Sequence, residues 1–187
     1  MLYFLMITFA MLCVWAGTIT ASLVTGYYSL LHAILCPFFV NAYVLVVLGL
    51  TTLFMRILIP RNAWNGDRGI FAVAKKEIQF YNKINIKAWK DKVPEMGSTG
   101  GFAKRHINSL EEKYLWKFLQ ETCFAEAMHY VVSALGFTVL FFLNIKDLWF
   151  ALPILFINAI LNILPSLIQR YNRYRLLILY KKISQKE

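Results

Sequence analysis

The stretch from Gln120 to Arg175 decides the fold. It opens with QETCFAEAMH (120–129), runs through apolar residues to the link NIKD (144–147), and closes with NILPSLIQRYNRYR (162–175). The apolar runs on either side of the link are long enough to cross a bilayer as helices. Because the link has only four residues, the two helices must run antiparallel. Their polar ends therefore lie on the same side of the membrane.

Polar side chains on the two runs occur at equal distances from the link to within one residue, and so at similar depth if both runs are helical. The matched pairs are His129 with Asn162, Glu126 with Ser166, and Glu121 with Arg170. At 100° per residue, Glu121, Glu126 and His129 share one helix face. Ionisable groups at membrane depth are costly and indicate a functional site. The structural alternative is a set of hydrogen bonds that joins the two helices.

The composition predicts an all-α integral membrane bundle with about four transmembrane helices and a cytoplasmic loop region. The chain has 187 residues, of which 59% are hydrophobic and 16% charged, and a soluble domain rarely has such a composition. We expect a single membrane domain, residues 1–187. Its predicted parts are spans at about 1–24, 38–59, 122–143 and 149–168, a cytoplasmic loop at 60–121 and a cytoplasmic tail at 170–187.

The net charge of +10 is concentrated in two segments. Residues 56–121 hold 13 Lys and Arg against 7 Asp and Glu, and residues 170–187 hold 6 against 1. The positive-inside rule predicts a multi-pass protein of the cell membrane with both termini cytoplasmic. A basic cytoplasmic face would also attract anionic membrane lipids or a phosphorylated substrate. No basic motif points to nucleic acid, and the sequence does not reveal the oligomeric state.

The cysteine and histidine spacing predicts no metal site. Cys13, Cys36 and Cys123 lie far apart without a C-x-x-C pair, which argues against both a zinc site and a disulfide framework. The single Glu-x-x-His at 126–129 provides fewer ligands than a di-iron bundle needs. His32 reads as a histidine at the membrane interface.

Two further helices are indicated near the basic loop. Apolar residues at helical spacing over 68–83 predict an amphipathic helix on the cytoplasmic surface. Asn108 followed by Glu111 has the pattern of a capping box, which predicts one helix from Ser109 to Leu143.

Three motifs carry a resemblance to a known family. They are W-K-D-x-x-P-x-x-G at 89–97 (followed by Phe102 and Lys104), E-T-x-x-A-E-x-x-H at 121–129 and N-x-x-P-x-x-x-Q-R-Y-N-R-x-R at 162–175. Over roughly residues 82–176 the chain resembles the glycosyl-4,4'-diaponeurosporenoate acyltransferases, which complete staphyloxanthin-type carotenoids. The resemblance implies transfer of a fatty acyl group to a sugar hydroxyl of a membrane glycolipid or glycosylated isoprenoid.

The chemistry of the residues suggests their roles. His129, oriented by Glu126, is the predicted general base, and Glu121 completes the predicted catalytic set. Arginines and lysines suit a phosphate-bearing acyl donor. The predicted substrate-binding residues are Trp89, Lys90, Lys104, Asn162, Gln169, Arg170, Asn172, Arg173 and Arg175. We expect no bound cofactor; acyl-CoA or another activated acyl donor is the co-substrate, and a membrane lipid is the acceptor.

Two other classes of function remain open from the sequence. The polar faces would also suit a non-enzymatic membrane scaffold or a lipid-binding assembly factor. Membrane reductases and methyltransferases likewise place polar motifs at helix ends, but no dinucleotide-binding fingerprint occurs here.

Overall fold

A computed structural model describes residues 2–26, 29–93 and 107–185, and these are predominantly helical, with no strand among them. The helices are α1 (Leu2–Thr25), α2 (Leu30–Leu58), α3 (Lys75–Lys83), α4 (Ile86–Trp89), α5 (Glu112–Gly136) and α6 (Leu148–Ser184). Short 3-10 turns occur at Arg61–Ala63, Gly69–Phe71, Lys90–Lys92, Phe137–Phe142 and Ile145–Asp147. The predicted all-α class is confirmed.

Three helical segments are long and apolar enough to cross a membrane: Leu30–Leu58, Glu112–Phe142 and Ile145–Ser184. They match the predicted spans at 38–59, 122–143 and 149–168. In the part of α1 whose side chains the structure describes, the apolar helical segment Leu12–Thr25 is shorter than these three. The structure therefore supports three spans, whereas four were predicted. Because the number of spans decides whether the termini share a side, the cytoplasmic location of both termini stays a prediction.

The chain divides into two compact units. The first comprises Met1–Leu53 and Val131–Asn162. Its core contains Val40, Val139, Ala151, Ile154 and Leu155. A hydrogen bond of 2.6 Å between the Tyr43 and Thr138 hydroxyls adds a polar tie between α2 and the turn that follows α5.

The second unit comprises Phe54–Tyr130 and Ile163–Glu187. One core cluster is built on Trp64, Cys123 and Phe124. A second cluster joins α5 to α6 through Leu115, Phe118, Leu119 and Leu176. The Trp64 ring meets the edges of Phe71 and Phe124 at centroid distances of 5.7 Å. These contacts fix the segment before α3 against α5.

Two predicted helix starts are wrong. The helix expected over 68–83 begins only at Lys75, because Gly69 has a φ of +62° and the carbonyls of residues 70–72 bond to arginines described below. The helix expected from Ser109 begins at Glu112 and gives way to a 3-10 turn after Gly136. Ser109 Oγ accepts a hydrogen bond from the Glu111 N–H at 3.1 Å.

Candidate functional site

A buried glutamate lies at the centre of the second unit. Glu126 on α5 is 2% exposed. Its Oε1 accepts a hydrogen bond of 2.7 Å from Arg170 Nη1, and its Oε2 lies 2.5 Å from Arg173 Nη2. Glu77 on α3 also pairs with Arg170. We call Glu77, Glu126, Arg170 and Arg173 the arginine cluster; its two carboxylates balance its two guanidinium groups.

Arg170 uses all five of its N–H groups within the protein. Nε and Nη2 donate to the two oxygens of Glu77, both at 2.9 Å. Nη1 donates to Glu126 at 2.7 Å and to the carbonyl of Ile70 at 2.9 Å. The remaining Nη2 donor reaches the carbonyl of Ala72 at 3.1 Å. Arg170 thus joins α6 to α3, to α5 and to the segment between Gly69 and α3.

Arg173 is 0% exposed and makes three hydrogen bonds. Nε donates to Thr122 Oγ1 at 3.0 Å, Nη2 to the Thr122 carbonyl at 2.9 Å, and Nη1 to the Phe71 carbonyl at 2.9 Å. Glu126 Oε2 is in ion-pair contact with Arg173 but accepts no hydrogen bond from the described residues. The positive charge of Arg173 therefore offsets the negative charge of Glu126 on this side of the carboxylate.

Gly66 lets the loop backbone approach Arg173 closely. A Cβ atom at this position would lie 3.0 Å from Arg173 Cδ and 3.5 Å from Cys123 Sγ. Since Arg173 is held by three hydrogen bonds, it has little freedom to move aside. Glycine at this position is therefore explained by packing.

Arg170 lowers the pKa of the Glu77 carboxyl below its ordinary value, chiefly through its hydrogen bonds. A carboxyl with a depressed pKa in the folded state stabilises the fold fully above its ordinary pKa, and this contribution disappears as the pH falls through the folded-state pKa. We expect the free energy of unfolding to fall with acidification in that range, and to fall less steeply in Glu77→Gln. Denaturation of the wild type and of Glu77→Gln in detergent across a pH series measures the two free energies of unfolding. If these free energies changed in parallel with pH, Glu77 would not be the source of the pH dependence.

Glu121 pairs with Arg56, a partner that the sequence did not indicate. Arg56 Nη1 and Nη2 donate to the two Glu121 oxygens at 2.8 and 2.7 Å. The Arg56 guanidinium also stacks over the Phe124 ring, 3.8 Å from its centroid. The expected match of Glu121 with Arg170 is wrong, because the donors of Arg170 are already bound to Glu77, Glu126 and backbone carbonyls. A cavity of about 100 Å³ adjoins this pair.

His129 lies half-buried on α5, one turn after Glu126. Its role as a general base stays a prediction. Among the predicted binding residues, the Trp89 indole donates to the Ile84 carbonyl at 3.1 Å. Lys90 pairs with Asp91 at 3.1 Å. Lys104 lies outside the described residues.

The other predicted binding residues lie on α6. Asn162 belongs to the first unit, where its amide donates to the carbonyl and Oδ1 of Asn158 at 2.8 and 3.0 Å. Gln169 is buried. Asn172 Nδ2 is buried and has no hydrogen-bond partner among the described residues. Arg175 is exposed, with its guanidinium 5.9 Å from the centroid of the Tyr171 ring.

The sequence does not indicate three kinds of partner that hold Arg170 and Arg173: Glu77, Thr122 and the backbone carbonyls of residues 70–72. Glu77 is one of seven acids in the predicted loop, and nothing in the local pattern distinguishes it. Thr122 belongs to a motif already noted, but its hydrogen bond to Arg173 depends on the tertiary fold. The carbonyls of residues 70–72 were assigned to a helix, where they would have bonded within the backbone.

A comparison with models of protein families identifies the family. A family model described as CrtO, glycosyl-4,4'-diaponeurosporenoate acyltransferase, matches residues 61–182. The match includes His129, Glu121 and the whole arginine cluster. Searches of curated proteins and of solved structures found no match. Because the family model spans well over half of the chain, the protein belongs to the glycosyl-4,4'-diaponeurosporenoate acyltransferase (CrtO) family.

Proposed function

We propose that the protein is a membrane O-acyltransferase that transfers a fatty acyl group to a hydroxyl of a membrane glycolipid or glycosylated isoprenoid. Family membership carries the proposal, since the family is named for acyl transfer to a glycosylated carotenoid acid. Three apolar helices of membrane-spanning length suit a lipid acceptor. A sugar hydroxyl is the acceptor group that fits both observations.

His129 would act as the general base. It takes the proton from the acceptor hydroxyl while that oxygen attacks the acyl carbonyl carbon. The tetrahedral intermediate then expels the donor's leaving group, and the imidazolium returns the proton to it. With acyl-CoA as donor, the products are the acylated lipid and the free thiol. An imidazole suits both steps because it gains and loses a proton near neutral pH.

The arginine cluster would position this base. Glu126 lies one turn before His129 on α5, and its carboxylate is fixed by Arg170 and Arg173. To hold a donor phosphate, Arg170 would have to release hydrogen bonds to the protein. We therefore assign donor binding first to Arg175, which is exposed, and to Lys90 and Lys104. In this proposal Asn172, with its buried unbonded amide, offers a hydrogen bond to the acceptor.

One observation favours the alternative of a non-enzymatic scaffold or lipid-binding factor. The charges of the arginine cluster are balanced and its donors are largely satisfied, as in a structural ion-pair network. A scaffold would need the cluster for folding and would not need His129.

Comparative lipid mass spectrometry tests the proposal. Cells that supply a glycosylated isoprenoid acceptor would express the wild type, His129→Ala or the control Lys117→Ala, whose side chain is exposed on the same helix. We expect the wild type and the control to form lipids heavier by one fatty acyl group. His129→Ala should lower the rate of formation about 10²–10⁴-fold.

Two results would count against parts of the proposal. Equal product from His129→Ala and the wild type would remove His129 as the base. No acylated product from a folded wild type supplied with acceptor and donor would favour the scaffold.

A further inference from the structure

Three potential metal ligands meet in the first unit, away from the family motifs in sequence. His32 and Cys36 lie on α2, and Asp147 closes the turn that precedes α6. His32 Nε2 is 2.7 Å from Asp147 Oδ1. One ligand atom from each of the three residues lies within 4.8 Å of the other two.

The local structure brings these groups together. His32 and Cys36 are four residues apart on a helix, so their side chains lie on the same face. Asp147 is 4% exposed, and its Oδ2 accepts a hydrogen bond from the Asn144 N–H at 3.3 Å. The Asp147 N–H in turn donates to the Asn144 carbonyl at 2.9 Å. Asn144 thus orients the carboxylate, as outer residues do around metal ligands.

We infer that His32 Nε2, Cys36 Sγ and Asp147 Oδ1 form a site for a divalent transition-metal ion of the zinc type. Imidazole, thiolate and carboxylate are the ligands that zinc accepts, whereas calcium and magnesium bind through oxygen alone. Three protein ligands leave the fourth tetrahedral position to water or an external ligand.

The required movements are small. Zinc bonds of roughly 2.0–2.3 Å separate tetrahedral ligand atoms by about 3.3–3.7 Å. The nitrogen and oxygen, now 2.7 Å apart, would move apart by about half an ångström, and the sulfur already lies within 4.8 Å of both.

The charge balance also favours the ion. On binding, the Cys36 thiol releases its proton to solvent and the thiolate sulfur bonds to the metal. The thiolate and the Asp147 carboxylate together cancel the two positive charges, and His32 binds as the neutral imidazole. The assembled site is neutral, which suits a place within largely apolar helices.

Cobalt and zinc binding to the purified full-length protein in detergent tests the site. We expect about one Zn²⁺ per chain after dialysis and a higher melting temperature with Zn²⁺ than with chelator. Co²⁺ should give the near-ultraviolet charge-transfer absorption of a cobalt–thiolate bond. Absence of that absorption in a folded wild type would overturn the inference without any mutant.

A pair of cysteine-to-serine variants tests whether Cys36 binds the metal. Cys36→Ser should lose the cobalt–thiolate absorption, whereas Cys13→Ser, which removes an exposed thiol, should keep it. His32→Ala and Asp147→Asn should lower the Zn²⁺ content per chain from about one toward zero. Retention of the absorption in Cys36→Ser would place the metal elsewhere and overturn the site.

Discussion

Replacing Glu126 by Gln should lower the free energy of unfolding by about 3–5 kcal/mol, the usual cost of breaking a buried ion pair from one side. Arg173 is 0% exposed, and Glu126 is its only ion-pair partner among the described residues. The neutral amide would leave that guanidinium charge buried without an anion. Unfolding of the purified protein in mixed detergent micelles, followed by circular dichroism, measures the loss.

Glu111→Gln is the matched control, because it makes the same chemical change at an exposed position just before α5. Surface substitutions of this kind usually change stability by no more than about 0.5 kcal/mol. A Glu126→Gln protein as stable as this control would show that the buried pair contributes nothing to the fold.

Arg173→Met should destabilise the protein by a similar amount, about 3–5 kcal/mol. Methionine has a comparable apolar stem but no donors. The Phe71 carbonyl and both Thr122 oxygens would lose their hydrogen bonds from Arg173, and Glu126 would lose one of its two arginines. The same unfolding assay measures this variant.

The double variant Glu126→Gln, Arg173→Met measures the interaction energy between these two side chains, apart from their contacts with other residues. Residues in direct contact show interaction energies of about 0.5–3 kcal/mol. We expect the double variant to be less destabilised than the sum of the two single variants, because no uncompensated charge remains at Arg173. Strict additivity would mean that the two side chains act independently.

The expected loss of stability in the Glu126 and Arg173 variants would itself lower any enzymatic activity. A Glu126 variant could lose the proposed acyl transfer through unfolding as well as through a change in the chemistry of the site. His129 gives the clearer test of catalysis, provided that its variant keeps the wild-type free energy of unfolding.

Periodicity and link length predicted the long helices well. The run from Leu148 continues through Arg170 and Arg175 as the helix α6, and the NIKD link is a short turn. Membrane-length apolar runs and a four-residue link are features of contiguous sequence. They can therefore be identified without knowledge of the tertiary structure. The sequence also selected Glu126, Arg170 and Arg173, because charged residues next to apolar runs are conspicuous.

The ion-pair and hydrogen-bond partners of the charged residues were much harder to predict. Glu121 was matched to Arg170 by counting depth, but its partner Arg56 comes from another helix, 65 residues earlier in the chain. Residues 70–72 have helical periodicity, yet their carbonyls bond to Arg170 and Arg173. Such pairings depend on tertiary packing, which overrides local pattern. For the same reason, no local pattern in the sequence indicates that Cys36 lies near Asp147.

The length of α6 has a consequence for substrate choice. Its 37 residues extend about 55 Å, whereas the hydrocarbon core of a bilayer is about 30 Å thick. Arg170 follows Leu148 by 22 residues, or about 33 Å. If the predicted link lies at one membrane surface, this length would bring Arg170 to head-group level in the opposite leaflet. For the proposed acyl transfer, we therefore expect a reaction centre at this height to prefer lipids whose hydroxyl projects well beyond the acyl chains, as it does on a bulky sugar head group.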